Sequence, residues 1–123
     1  MKKASILIID DDPTIHTVLK EALENKGYTV DVSADGKEGL EKALTTHPDL
    51  IMLDVELPNM RGGMILGKIR EDAWGKNVPV IVLSSNENTW SVADIISKGA
   101  YEYLLKSDWK LEDIIAKVSK ILN

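Results

Sequence analysis

Asp54 closes the apolar run Leu50-Ile51-Met52-Leu53 and opens the turn Val55-Glu56-Leu57-Pro58, so a carboxylate stands at the mouth of a buried strand. A second apolar run, Ile6-Leu7-Ile8-Ile9, ends in Asp10-Asp11-Asp12. If the two strands are neighbours, their acids form one cluster. Like charges at short range repel, so such a cluster is stable chiefly when a bound cation offsets the repulsion. Residue type and spacing therefore point to a divalent-metal site beside a reactive aspartate. A carboxylate in this place can also simply cap a turn, and position alone does not separate the two readings. Asp12 is accounted for without metal, because Asp12-Pro13 fits a helix N-cap followed by proline at the first helical position.

The elements that must position these groups follow from periodicity. Strands are expected at 6 to 9 (β1), 28 to 32 (β2), 50 to 53 (β3), 79 to 83 (β4) and 101 to 105 (β5). The first, third and fourth are short Ile, Val and Leu runs bounded by Pro or Asp, apolar on both faces as in a parallel sheet covered on each side by helices. Tyr28-Thr29-Val30-Asp31-Val32 alternates, as a more exposed edge strand would. Between them lie helical patterns. Ile15, Val18, Leu19, Ala22 and Leu23 mark α1, which starts after Asp12 and stops at Asn25-Lys26-Gly27. Asp35 followed by Glu38 has capping-box spacing for α2. The third helix, α3, is expected over about 63 to 71 and α4 over about 88 to 98, while Leu111, Ile114, Ile115, Val118, Ile121 and Leu122 mark α5.

Five strands alternating with five helices make an α/β chain with a doubly wound, five-stranded parallel sheet. In the flavodoxin-like (βα)5 order 2-1-3-4-5, β1 and β3 are neighbours at the topological switch point, where ligands bind at the carboxyl ends of strands. This brings Asp10 and Asp11 beside Asp54. The β4 run ends in Leu83-Ser84-Ser85 and the β5 run in Leu105-Lys106, adding a hydroxyl and an ammonium to the same rim.

Bulk properties narrow the function classes. A chain of 123 residues, 44% hydrophobic and 28% charged, is read as one globular domain (1–123) without an effector domain. A formal charge of -5 argues against a nucleic-acid surface, so output is expected to reach a protein. The absence of cysteine excludes disulfides, thiolate metal sites and cysteine nucleophiles. No apolar run approaches the roughly 18 residues of a membrane span, and the basic start leads straight into β1 instead of a signal peptide. A cytoplasmic location is expected. His16 and His47 are read as incidental, and Trp74, Trp90 and Trp109 as packing or loop anchors.

Taken in order, these segments resemble the receiver domains of bacterial two-component response regulators, here of the stand-alone type. Ile6 to Pro13 is similar to the family's acidic-pair strand, and Asp49 to Asp54 to its phosphoacceptor strand. Pro58, Met60 and Gly62 follow at the family's spacing, Pro79 to Ser84 resembles the strand ending in Ser or Thr, and Gly99 to Lys106 the segment carrying an aromatic and the lysine. Three positions depart from the pattern: Arg61 stands where an acid often precedes the glycine, Ser107 follows Lys106 where proline is common, and Trp109 stands near the place of a frequent aromatic.

The resemblance implies a phosphoacceptor module, not a conventional enzyme, that promotes its own phosphorylation and dephosphorylation. Asp54 would be the nucleophile forming an acyl phosphate. Asp10, Asp11, Asp54 and the backbone carbonyl of Glu56 would hold Mg²⁺, with Mn²⁺ as a second candidate ion. Ser84 and Lys106 would bind the phosphoryl oxygens, and Tyr103 would take the space Ser84 vacates, switching the α4-β5-α5 face. Glu56 and Asn86 would tune phosphoryl lifetime. Expected partners are a histidine kinase or phosphotransfer protein, an unidentified output protein addressed in trans, and a second copy on phosphorylation, with neither nucleic acid nor membrane. Two alternatives stand beside this reading. A haloacid-dehalogenase-type phosphatase would carry its nucleophile on an early strand in an Asp-x-Asp pattern, not at Asp54 at the end of β3, and a pseudo-receiver docking module would not need the intact Asp10, Asp11, Asp54, Ser84 and Lys106 set.

Overall fold

In the computed structural model, which describes residues 3–55, 57, 62–84, 97, 99–105 and 110–122, the apolar runs become β1 (Ser5–Ile9), β3 (Leu50–Asp54) and β4 (Val80–Ser84), the interior strands of a parallel sheet. The edges are β2 (Thr29–Ser33) and β5 (Glu102–Leu105), giving the order β2-β1-β3-β4-β5. The expected doubly wound, flavodoxin-like topology is the one observed. Around the sheet lie α1 (Pro13–Asn25), α2 (Gly36–Thr46), α3 (Gly62–Glu71) and α5 (Leu111–Leu122). The expected α4 falls almost wholly outside the described residues; Ser97 is helical.

Strand side chains alternate between two apolar layers, which is why each interior run must be apolar throughout. Leu7, Ile9, Ile51, Leu53, Val80 and Val82 pack with Leu40 and Ala43 of α2 and Ile65, Leu66 and Ile69 of α3. Ile6, Ile8, Leu50, Met52, Ile81 and Leu83 pack on the other face with Leu19 and Leu23 of α1 and Ile114 and Val118 of α5.

The helix boundaries have chemical causes. Asp12 caps α1 by accepting from Thr14 N–H at 2.9 Å, with Pro13 opening the helix. At its far end Gly27 takes φ +97° and donates to the Glu24 carbonyl, ending the helix where Asn25-Lys26-Gly27 predicts. Asp35 caps α2, accepting from Glu38 N–H at 3.4 Å, but the expected capping box is rearranged. Asp35 N–H donates to Ser33 Oγ, and the Glu38 carboxylate faces Ser33 Oγ and Lys42. Gly39 lets α2 lie close on β1, since a Cβ there would sit 2.8 Å from Ile9 side-chain atoms. Gly39→Ala is expected to cost about 1 kcal/mol, because overpacking outweighs the gain in helix propensity. Urea unfolding of the variant measures it, and unchanged stability would show that Ile9 steps aside freely.

At the amino ends of the strands, Arg70 takes the role of a rivet. Its guanidinium donates to the carbonyls of Gly75 (2.6 Å), Val78 (2.7 Å) and Gly99 (2.5 and 3.2 Å), joining α3 to the turns that lead into β4 and β5. Burial lowers its pKa from the ordinary guanidinium value. Three details differ from expectation. A 3-10 turn, Trp74–Lys76, precedes β4. Strand β5 starts at Glu102, leaving Tyr101 in an exposed bend. Strands β2 and β4 are each displaced by one residue and so include Ser33 and Ser84.

Candidate functional site

Parallel register converts two distant sequence segments into one site. Ile9 pairs with Leu53, so Asp10 and Asp54 come level where β1 and β3 end. Asp10 is tied down by its N–H to the Ser33 carbonyl at 3.0 Å, and its Oδ1 accepts from Asp12 N–H at 2.9 Å. On the far side of Asp54, Val55 N–H donates to the Leu83 carbonyl at 3.2 Å. Carboxylate oxygens of Asp10, Asp11 and Asp54 all lie within 4.8 Å of one another. Asp10 and Asp54 are buried, at 0% and 2% exposure, whereas Asp11 faces solvent.

Three hard oxygen donors without nitrogen or sulfur suit Mg²⁺ or a similar hard divalent cation. Burial of two of the acids makes their mutual repulsion expensive and a cation correspondingly welcome. The open side at Asp11 leaves room for the waters that Mg²⁺ keeps and for a substrate oxygen.

The hydroxyl and aromatic expected at the rim stand on the next strands. Ser84 ends β4, is fully buried and pairs with Leu105; Tyr103 pairs with Val82. Alternation puts Ser84 on the same face as Val80 and Val82, the face on which Tyr103 packs. The Tyr103 hydroxyl is buried and makes no hydrogen bond among the described residues. Glu56, Asn86 and Lys106 lie outside the described residues, as do Met60, Arg61, Trp90, Ser107 and Trp109.

Two residues at the site were not among those expected there. His16 is not incidental, because from the first turns of α1 its Nε2 makes a polar contact with the Asp10 carbonyl. The signal was its place six residues after Asp10, where a helix starting at Pro13 turns back over the strand end. Ser33 is the other: buried at the end of β2, it holds Asp10 through its carbonyl and organises the start of α2 through Oγ. His47 and Trp74 lie elsewhere. They stack at 4.6 Å where α2 ends, with Trp74 partly buried against the core as expected of a packing residue.

Comparison with known proteins gives a consistent result. The family model described as "Response regulator receiver domain" matches residues 6–119. Response regulator ArlR of Staphylococcus saprophyticus is 34% identical over 117 residues, covering 95% of this chain and 51% of the relative. The chain thus spans about half the length of the curated relatives it matches. Chemotaxis response regulator CheY4 of Vibrio cholerae superposes with TM-score 0.89 at 27% identity, covering 98% of this chain and all of that one. The receiver domain of sensor histidine kinase PA1611 from Pseudomonas aeruginosa superposes with TM-score 0.85 at 28% identity, covering 97% of each chain, and carries a magnesium ion in its active-site cleft.

Proposed function

The chain belongs to the response regulator receiver domain family of two-component signalling, and from that membership we propose that Asp54 is its phosphoacceptor. Receiver domains are signalling modules, not conventional metabolic enzymes. The observation that carries the proposal is the convergence of Asp10, Asp11 and Asp54 within 4.8 Å at the ends of two adjacent parallel strands.

In the reaction, an Asp54 carboxylate oxygen attacks the phosphorus of a phosphohistidine on a histidine kinase or phosphotransfer protein. The new bond is the acyl phosphate, the N–P bond breaks, and the released imidazole takes up a proton. Asp10, Asp11, Asp54 and the Glu56 carbonyl would hold Mg²⁺, or Mn²⁺ with the same oxygen preference, which when bound offsets the charge of the transferring phosphoryl group. Catalysis is otherwise positioning. The backbone bond to Ser33 and the His16 contact fix the Asp10 peptide, and pairing of Val55 with β4 fixes Asp54.

The signal would leave through Ser84 and Lys106, whose hydroxyl and ammonium reach the phosphoryl oxygens. Tyr103 then changes rotamer and alters the α4-β5-α5 face presented to a partner protein in trans or to a second copy of the receiver. Among the described residues the buried Tyr103 hydroxyl makes no hydrogen bond, which supports this step, since a rotamer that pairs or wets it gains one. Glu56 and Asn86 are the proposed lifetime-setting positions. Among the described residues no helix is long and apolar enough to cross a membrane, and the proposed location is the cytoplasm.

The test is intact mass after incubation with Mg²⁺ and acetyl phosphate. One added phosphoryl group, absent with chelator and absent in Asp54→Ala, is expected. No adduct, in parallel with a control receiver that labels, would overturn the assignment of Asp54.

A further inference from the structure

Strand β2 forms one edge of the sheet, with sequence Thr-Val-Asp-Val-Ser and therefore high β-propensity. A row of unpaired backbone groups on such a strand is a template for a strand from another chain. Thr29 N–H donates to the Ala4 carbonyl and the Ser33 carbonyl accepts from Asp10, so residues 29, 31 and 33 face β1. The backbone groups of Val30 and Val32 therefore face outward.

Three of those four outward groups, both carbonyls and the Val32 N–H, are already occupied by charged side chains. Lys20 reaches from α1 and donates to the Val30 carbonyl at 3.1 Å; Lys42 reaches from α2 and donates to the Val32 carbonyl at 3.0 Å. Val32 N–H donates to Asp31 Oδ1 at 2.9 Å. Just before the strand, Tyr28 N–H is taken by the Leu23 carbonyl. Each lysine is held in turn: Lys20 by Glu24 at 3.0 Å, and Lys42 by Glu38 at 3.3 Å and Asp31 at 3.4 Å. The two ammonium groups come from helices on opposite faces of the sheet and converge on alternate carbonyls of one strand.

We propose that Lys20 and Lys42 form an edge clamp that keeps β2 from pairing with a strand of a second copy of this chain, so that self-association is confined to other faces. An incoming strand would have to displace both ammonium groups from the carbonyls it needs and bury them against its own backbone. The inference stands independently of the phosphoacceptor assignment.

The test is the double variant Lys20→Met and Lys42→Met, which keeps the apolar stems and removes the charged heads. Removing two lysines takes the formal charge from -5 to -7, so a general charge effect would oppose association. The expected result is a folded protein by circular dichroism that leaves the monomer peak in size-exclusion chromatography at least about fivefold faster than the parent. Hydrogen exchange should show new protection at the Val30 and Val32 amides in the associated fraction. A control, Lys68→Met with Lys76→Met, makes the same charge change at two exposed lysines remote from β2 and should stay monomeric. Monomeric behaviour of the clamp variant, equal association of the control, or protection elsewhere than β2 would overturn the proposal. Should the double variant fail to fold, Lys42→Met alone exposes the Val32 carbonyl and is read in the same way, a persistent monomer again overturning it.

Discussion

Asp10→Asn is expected to be more stable than the native protein in chelator and less stable in millimolar Mg²⁺, while phosphorylation of Asp54 slows by about 100-fold or more. The sign reversal follows from charge. Three carboxylates with oxygens within 4.8 Å of one another repel, and Asp10 is the fully buried member. At that separation and an effective dielectric of about 20, one pair of unit charges repels by roughly 3.5 kcal/mol. Asp11 is solvated and the charges are spread over two oxygens each, so the relief on removing one charge is about 1–2 kcal/mol. Asparagine keeps the Oδ1 acceptor that Asp12 N–H uses at 2.9 Å, so the local turn is not lost with the charge. With Mg²⁺ at about 100 times its Kd the native chain gains about 2.7 kcal/mol, and the variant gains little. Urea titrations with EDTA and with Mg²⁺, beside acetyl phosphate labelling, measure both effects. A variant no more stable in EDTA, or one that keeps the full Mg²⁺ response, would show that Asp10 is not part of the ion's cage.

Which parts of this arrangement are legible in the residues, and which are not, has a physical basis. β1, β3 and β4 announce themselves because a strand covered on both faces has to be apolar at every position, and their acids are visible because polar residues end such runs abruptly. Asp10, Asp11 and Asp54 are readable together once the strand order is assumed, since parallel register puts successive strand ends on one rim. The pairing of β5 with β4 places Leu105 beside Ser84 on the same logic. His16 was hidden because its contact depends on the angle at which α1 leaves the loop, a tertiary quantity with no periodic trace. Arg70 was hidden for a similar reason: its four hydrogen bonds go to backbone carbonyls, which carry no residue identity. The Trp74–Lys76 turn is three residues long, too short for any period. The lysine clamp on β2 was equally unreadable, because a lysine every few residues on a helix looks like an ordinary solvated face. The Asp35 and Glu38 pair had the right spacing for a capping box, yet Ser33 and Lys42 compete for the Glu38 carboxylate and win it.

Ser84→Ala is expected to leave phosphoryl acceptance within a few-fold of native while reducing the response of β5 to phosphorylation by about fivefold or more. Ser84 ends β4, pairs with Leu105 and shares its face of the sheet with Tyr103, so it is the described side chain best placed between Asp54 and the edge strand. Phosphorylation can shift two arrangements of that edge only through contacts that differ between them. A hydroxyl drawn to the phosphoryl oxygens in one state and not in the other is such a contact. Alanine removes that oxygen together with the interactions of a fully buried hydroxyl, so the fold is expected to lose about 1–3 kcal/mol and still hold. The metal-binding acids are untouched, which separates this loss from the one caused by Asp10→Asn. Amide chemical shifts of Tyr103, Leu104 and Leu105, recorded before and after labelling with acetyl phosphate, read the response directly. Full native shift changes in the variant would remove Ser84 from the pathway and transfer the coupling to Lys106, the other group proposed to contact the phosphoryl oxygens. Loss of labelling itself would mean instead that the hydroxyl assists the transfer, and that acceptance and switching are not separable at this position.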